Sequence, residues 1–228
     1  MWGTWVNVLA ILVGSFIGSF IGKYLPRNLL ETLTQATGLG IVLVGLSMSI
    51  QSSNLVLIIV SLVIGGITGE LIDIEGKLVG FGQKFEQRIS MNGGGKITKA
   101  FVSASLVYCV GAMAIMGPLE AGLRNSYNTL FSKAILDGIL AVSMSTSLGW
   151  GVALSSIAVL MYQGSLTLLA SWLQFYLTND VIREITASGG LLIIAIGLSV
   201  LKIKDFKVGN LLPAILYAGL LSFWLHWI

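Results

Sequence analysis

Long apolar runs separated by short polar segments dominate the hydropathy pattern of this 228-residue chain. A helix needs roughly 20 apolar residues to cross the hydrocarbon core of a bilayer. Eight runs have about this length, so we predict an all-α polytopic membrane protein with eight transmembrane helices. The predicted limits are 2–22, 33–50, 54–74, 98–118, 130–148, 150–173, 185–201 and 208–227.

The fifth run is the least apolar of the eight because it contains Asp137 and the hydroxyl-rich segment 143–147. Two interpretations stay open for it, a full crossing and a re-entrant segment. The hydroxyl-rich segment, which is followed by Gly149, is also a candidate for an unwound stretch that turns backbone groups toward an ion.

The composition supports a membrane protein and excludes several other classes. Charged residues make up 10% of the chain, whereas soluble domains contain about 25%. Hydrophobic residues make up 55%, and the mean hydropathy is +0.91. A disordered, collagen-like, disulfide-rich or nucleic-acid-binding protein would not have this composition. The single cysteine, Cys109, allows neither an internal disulfide nor a cysteine metal cluster.

The distribution of basic residues predicts the orientation in the membrane. With eight crossings and both termini outside, ten Lys and Arg residues lie inside and three lie outside. A re-entrant fifth run changes the division to eight and five. The positive-inside rule therefore favours eight crossings. The first run lacks a basic n-region and a cleavage site, so we expect a retained helix and not a signal peptide.

We interpret residues 1–228 as one transmembrane domain with one long inner loop. This loop, 76–97, carries apolar residues at helical spacing and predicts an amphipathic helix on the inner membrane surface. A gate or a partner-binding segment is the alternative interpretation. The apolar residues that define the pattern are Leu78, Phe81, Phe85 and Ile89.

Two parts of the chain resemble each other. Residues 34–48 align without a gap to residues 186–200, so that Gly38 corresponds to Gly190 and Gly45 to Gly197. The similarity predicts repeat one at 2–74 and repeat two at 150–227, with the middle spans at 98–148 between them. Because the predicted topology orients the two repeats oppositely, they form an inverted repeat. This arrangement recurs in secondary transporters and also occurs in channels.

Several motifs together resemble a known family, the uncharacterised bacterial YdfK/YqgA-type membrane proteins, which are grouped under a domain of unknown function. The resemblance covers nearly the whole chain and implies a multi-pass protein of the bacterial cytoplasmic (inner) membrane. The family has no settled activity, so the resemblance implies no site residues. The motifs are the glycine-rich first run, Gly69-Glu70, Lys133 with Asp137-Gly138, Tyr162-Gln163-Gly164, Gly189-Gly190-Leu191-Leu192 and Asn210-Leu211-Leu212-Pro213-Ala214.

Enzymatic activity is not expected from this sequence. It contains neither G-x-x-x-x-G-K-[ST], which binds nucleotide phosphates, nor H-E-x-x-H, which binds zinc. One histidine, His226, and one cysteine are too few for zinc or Cys/His chemistry. We therefore predict no catalytic residue, no cofactor and no metal site.

Polar residues inside the apolar runs are the candidate binding residues. An unpaired acid in hydrocarbon costs on the order of 2–3 kcal/mol, and Asp137 lies about seven residues, or ~10 Å, into its run. It is therefore the first candidate for a proton or cation site, and an interfacial pair with Lys133 is the alternative. Buried amides and hydroxyls either contact a substrate or join helices. We predict one polar cavity between the repeats that contains Asp137, Gln163, Asn7 and Ser156, with Ser145 and Ser147 as further candidates.

Small residues repeat at every fourth position of the first run. Gly14, Gly18 and Gly22 form this stripe, which allows another helix to approach closely. Helix packing is the expected role, and a sliding contact between moving halves is the alternative.

The predicted function is secondary transport of a small solute or ion, either passive or coupled to protons or sodium. An ion channel is the first alternative, and a non-transporting packing or regulatory protein is the second. The expected partners are the lipid bilayer and a small solute or cation, with no nucleic acid. A homo-oligomer stays open. Asp137→Asn is expected to leave folding intact and to abolish ion-dependent or pH-dependent transport or ligand binding.

Overall fold

The computed structural model describes residues 1–77, 80 and 96–225, which form helices joined by short connections, without a strand. The predicted amphipathic helix of loop 76–97 lies almost wholly outside the described residues. The helices are α1 (Trp2–Tyr24), α2 (Arg27–Ser49), α3 (Leu55–Ile72), α4 (Lys96–Cys109), α5 (Ala112–Arg124), α6 (Asn128–Leu148), α7 (Gly151–Leu168), α8 (Ala170–Leu173), α9 (Asn179–Val200), α10 (Val208–Leu211) and α11 (Pro213–Leu225).

Six segments in the described part of the chain are long and apolar enough to cross a membrane. They are α1, α2, α3, α7, α9 and the combined segment Val208–Leu225. A seventh is present if α4 and α5, which are bent by 58° relative to each other, count as one span. The chain is therefore an all-helical, polytopic membrane protein. Helix α6 has 21 residues but carries the polar groups noted above. A membrane crossing by α6, which would bring the total to eight, therefore stays a prediction.

The fourth predicted span, 98–118, is broken at its middle. Gly111 has φ +133°, which L side chains rarely adopt, and the helix restarts at Ala112 in a new direction. Val110 packs against Gly189 of α9, where a Cβ would collide with it. The eighth predicted span is also interrupted, between α10 and α11, because Pro213 has no N–H to continue the helix.

The unwound stretch considered for segment 143–147 is wrong, because α6 continues through it to Leu148. Two of its hydroxyls bond within the helix: Thr146 Oγ1 donates to the carbonyl of Val142 at 2.8 Å, and Ser147 Oγ donates to that of Ser143 at 3.4 Å. The helix ends at Gly149, which has φ +78°. A hydroxyl side chain that donates to a carbonyl of the preceding turn gains a hydrogen-bond partner without any unwinding of the backbone.

Close backbone contact joins α1 to α6. A Cβ at Gly14 or at Gly18 would collide with a backbone carbonyl oxygen of α6, and a Cβ at Gly22 would lie 2.9 Å from a third carbonyl oxygen of the same helix. These three carbonyls belong, in order, to Gly138, Val142 and Thr146. The residue numbers of the three glycines and of the three carbonyls increase together along the contact, so α1 and α6 run in the same direction.

Glycines also join α2 to α9. A Cβ at Gly45 would lie 2.7 Å from the carbonyl oxygen of Gly190, and a Cβ at Gly190 would lie 2.7 Å from that of Gly45. A Cβ at Gly197 would lie 3.0 Å from the carbonyl oxygen of Gly38. The earlier glycine of α2 thus contacts the later glycine of α9, and the later one contacts the earlier, so α2 and α9 are antiparallel.

Polar contacts connect the helix ends in two groups. Where α2 ends, Ser52 donates to Glu184, near the start of α9. At the opposite ends, Lys207 pairs with Glu70 at 2.7 Å, and Lys99 pairs with Asp205. The hydrogen bond and charge of Glu70 raise the pKa of Lys207. In each contact both partners lie at helix ends that the eight-span prediction puts on the same side of the membrane.

Candidate functional site

An enclosed ion pair lies at the contact between α1 and α6. Lys133 Nζ is 2.8 and 2.6 Å from the two carboxylate oxygens of Asp137. Asn7 Nδ2 of α1 donates to Asp137 Oδ2 at 2.9 Å. The side chains of Lys133 and Asp137 are only 7% and 4% exposed. The carboxylate is thus held by one charged and one neutral donor away from the protein surface.

The helical spacing explains this local geometry. Residues four apart lie on the same face of a helix, so Lys133 can reach Asp137 on the buried face of α6. Asp137 is nine positions after Asn128, about 14 Å along a helix of about 31 Å at a rise of 1.5 Å per residue. Asp137 therefore lies near the middle of α6.

Several buried polar atoms of α1 and α7 have no hydrogen-bond partner among the described residues. They include Thr4 Oγ1, Asn7 Oδ1 and both terminal atoms of Gln163. Met1 approaches Gly164, and the ring of Phe16 is 6.0 Å from that of Trp150. These two contacts set α1 antiparallel to α7.

This register places Gln163 level with the first turn of α1, beside Trp2 and Gly3 and more than one helical turn from Asn7. Buried polar groups are normally bonded to protein, water or ligand. Each unbonded donor or acceptor is therefore a place where a polar solute, ion or water can bind.

The serines predicted for the site occupy three different places. Ser156 is buried on α7, seven residues and thus about 10 Å from Gln163 along the helix axis. Ser145 is buried beside Gly18 with its hydroxyl unpartnered. Ser147 faces α2, where its Oγ lies 3.5 Å from Thr37 Oγ1. The structure therefore joins Asn7 directly to Asp137 and places Ser147 in a separate hydroxyl cluster.

Glu184 is a buried acid that the sequence-based set of candidates missed. Its carboxylate accepts hydrogen bonds from Ser52 Oγ at 2.6 Å and from Ser53 N and Oγ at 3.0 and 2.9 Å. Arg183 Nε lies 3.9 Å away. Because Glu184 comes just before the predicted span 185–201, hydropathy assigns it to a loop. Its burial depends on the connection between α2 and α3, which is distant in sequence.

Thr4 and Lys133 were also absent from the predicted set. A threonine in the first turn of an apolar helix gives no signal of its own. Lys133 was considered only as an interfacial partner of Asp137, and the i, i+4 spacing was the signal that could have included it.

An apolar cavity of about 360 Å³ lies beside the break between α4 and α5. It is lined by Ile74, Cys109, Val110, Tyr162, Ile185, Leu212, Pro213, Ile215 and Leu216. Both helix interruptions, at Val110 and at Leu212, border this cavity. Within the described ranges, no group of three or more His, Cys, Asp or Glu side chains is placed to hold a metal ion.

Comparison with known proteins identifies the family. Residues 2–223 match the family described as "Protein of unknown function (DUF554)". The chain is 34% identical over 230 residues to the "Uncharacterized membrane protein YdfK" of Bacillus subtilis (strain 168), covering 99% of this chain and 97% of that relative. It is 28% identical over 231 residues to the "Uncharacterized protein YqgA" of Escherichia coli (strain K12), covering 99% and 98%. No solved structure matches the chain. The resemblance seen in the sequence is confirmed, and this chain belongs to the DUF554 family.

Proposed function

We propose that this protein is a secondary transporter of a small solute or ion, coupled to protons or sodium. The observation that carries the proposal is the Lys133–Asp137 pair, which is enclosed near the middle of α6 and bonded to Asn7. Ionisable residues at membrane depth are costly, and they mark ion pathways and proton relays. A pair of apolar residues would pack the two helices without this cost.

The unpartnered polar atoms of two neighbouring helices support the binding of a polar solute or ion. Thr4, Asn7 and Gln163 belong to α1 and α7, which are the first helices of the two predicted repeats. Lys133 and Asp137 belong to α6, which lies between the two predicted repeats in the sequence. A site built from both repeats fits alternating access, in which one repeat rocks against the other around a site near the bilayer midplane.

The contact between α2 and α9 supports the inverted repeat. Gly38 and Gly190 are equivalent in the sequence alignment, as are Gly45 and Gly197. In the structure, Gly45 meets Gly190, and Gly38 meets Gly197. Each contact is thus the image of the other when the repeats are exchanged, as expected from a two-fold axis perpendicular to the antiparallel helices.

Helix directions support eight crossings. The glycine contacts make α1 parallel to α6, as expected for the first and fifth spans, and α2 antiparallel to α9, as expected for the second and seventh. An α6 about 31 Å long by its 21 residues is sufficient for a crossing. We therefore propose α6 as the fifth of eight spans, with both termini outside.

The enclosure of the ion pair favours a carrier over a channel. An open pore would expose the charged groups that select its ions to water, whereas Lys133 and Asp137 are nearly inaccessible. Binding from one side then requires a conformational change, as in alternating access.

Reconstitution into liposomes tests this proposal. Solute and ion uptake would be measured with an imposed pH or sodium gradient for the wild type and for Lys133→Gln/Asp137→Asn, which removes both charges together. Asp205→Asn, at an exposed ion pair, is the matched control. We expect gradient-driven uptake in the wild type and the control and none in the double variant. Unchanged uptake in the double variant would refute the site, and currents far above carrier turnover would favour the channel.

A further inference from the structure

The apolar cavity beside the break between α4 and α5 lies where two helices are interrupted. Val110 lines it at the break between α4 and α5, and Leu212 lines it at the break between α10 and α11. The 58° bend turns α5 away from the axis of α4. Gly111, at the bend, has no side chain to occupy the space that this change of direction leaves. The two breaks thus fix the position of the cavity.

The lining of the cavity suits hydrocarbon and not a polar ligand. Seven of the nine lining residues that the structure describes have purely hydrocarbon side chains. The other two, Cys109 and Tyr162, provide a thiol and a hydroxyl, and a thiol is a weak hydrogen-bond donor. An ion or a polar solute would lose its hydration here with almost no replacement. The ligand class that fits this lining is therefore apolar.

The volume of the cavity is sufficient for a hydrocarbon chain. A cavity of about 150 Å³ lined by aliphatic and aromatic side chains stays dry and binds benzene. The cavity of this protein has about 360 Å³. Ile185 of α9 lies at the level of Gly219, because a Cβ at Gly219 would lie 3.0 Å from its side chain. Leu212 is seven residues before Gly219, so the lining extends for about 10 Å along the helix axes.

The cavity reaches the protein surface at the depth of the hydrocarbon core. Leu216 lines the cavity and is 70% exposed. This leucine lies at the middle of the apolar segment Val208–Leu225, which is long enough to cross the membrane. The surface at the middle of a membrane span contacts the acyl chains of the lipids. The mouth of the cavity is therefore continuous with the lipid-facing surface of the protein.

We propose that this cavity binds one acyl chain of a membrane phospholipid, which enters from the bilayer past Leu216. The proposal rests on the membrane location of the protein and is independent of the transport function. A bound chain supplies the van der Waals contacts that the lining side chains lack when the cavity is empty. Asp137, which is enclosed against α1, is not among the lining residues. The lipid site and the ion-pair site are thus different places.

Photo-crosslinking in liposomes tests the proposal on the full chain. The wild type would be reconstituted with a phosphatidylcholine that carries a diazirine in the middle of one acyl chain, illuminated, digested and analysed by mass spectrometry. We expect labels on Cys109 and Tyr162 inside the cavity. Leu192 and Val152, which are fully buried elsewhere, should stay unlabelled. The same phospholipid with the diazirine on its headgroup is the control for the probe and should label neither Cys109 nor Tyr162.

A pair of tryptophan substitutions on α11 tests entry past Leu216. Leu216→Trp places a larger side chain at the mouth, and we expect this variant to lose the labels on Cys109 and Tyr162. Leu220→Trp is the matched control, because Leu220 lies one turn further along the same helix, is 64% exposed and does not line the cavity. This variant should be labelled like the wild type.

Three results would overturn the proposal. Absence of labels on Cys109 and Tyr162 in the wild type would mean that the cavity is filled by something else, such as a small solute or a second copy of the chain. Equal labelling by the headgroup probe would mean that the acyl chain is not the recognised group. Unchanged labels in Leu216→Trp would exclude entry at this mouth. If Leu216→Trp fails to fold, the comparison of the two probes on the wild type decides.

Discussion

Removing either charge of the Lys133–Asp137 pair should destabilise the protein much more than removing both. Charges 2.6–2.8 Å apart attract each other by about 6 kcal/mol at an effective dielectric constant of 20. A single substitution loses this attraction and leaves the other charge enclosed, at a cost of about 3–5 kcal/mol. Lys133→Gln/Asp137→Asn leaves no charge and should change stability by less than about 1 kcal/mol. Asp137→Asn is therefore expected to destabilise the fold, contrary to the prediction from the sequence, because Lys133 is buried with Asp137.

Thermal unfolding in detergent micelles measures this double-mutant cycle. For a chain of this size, 1 kcal/mol shifts the midpoint by about 2–4 °C, so each single variant should unfold about 6–20 °C below the wild type. Lys99 and Asp205 provide the matched control, because their side chains are 50% and 78% exposed. The coupling energy of such an exposed pair is about 0–1 kcal/mol.

The comparison of the two cycles can refute the reasoning. A coupling energy for Lys133 and Asp137 no larger than that of Lys99 and Asp205 would mean that water reaches the inner pair. The enclosed site, and the argument for a carrier built on it, would then be wrong.

Three further predictions concern packing, the Glu184 cluster and topology. Gly18→Ala places a Cβ against the backbone of α6 and should lower stability by about 1–3 kcal/mol. Gly40→Ala, where a Cβ meets nothing within 4 Å, should leave stability unchanged or raise it by up to about 1 kcal/mol in the same unfolding assay. Glu184→Gln should cost about 1.5–3 kcal/mol, since a charged acceptor of three hydrogen bonds is lost; stability equal to the wild type would show that water compensates for the carboxylate. Single cysteines replacing Ser53 and Lys204, in a cysteine-free background, should react with a membrane-impermeant maleimide from opposite sides, with Ser53→Cys labelled from outside. Labelling of both from the same side would contradict the eight-span topology.

Most of the helices were predictable because hydropathy is a local property of the chain. A run of apolar residues favours a membrane helix whatever its neighbours are, so α1, α3 and α7 appear near their predicted positions. Asp137 and Asn7 were also identifiable, since a polar group inside an apolar run requires a partner. Helix ends were less predictable. Helix α2 begins at Arg27, six residues before the predicted limit, because a polar turn can extend a helix beyond the hydrocarbon.

The partners of the candidate residues were decided by tertiary structure. Asn7 and Asp137 are 130 residues apart, and their hydrogen bond exists because the glycines of α1 let α6 approach closely. Glu184 is buried by Ser52 and Ser53, about as far away in sequence.

The sequence by itself determined that this is an all-helical membrane protein and which polar residues lie within its apolar runs, because both follow from the transfer of side chains between water and hydrocarbon. Only the tertiary structure decided that α4 and α5 are separate helices, that Lys133 is enclosed with Asp137, and that Gln163 lies level with the first turn of α1. Burial and pairing depend on which helices pack together. Those contacts are set by the close approach of glycine-bearing surfaces, such as α1 on α6 and α2 on α9, from distant parts of the chain.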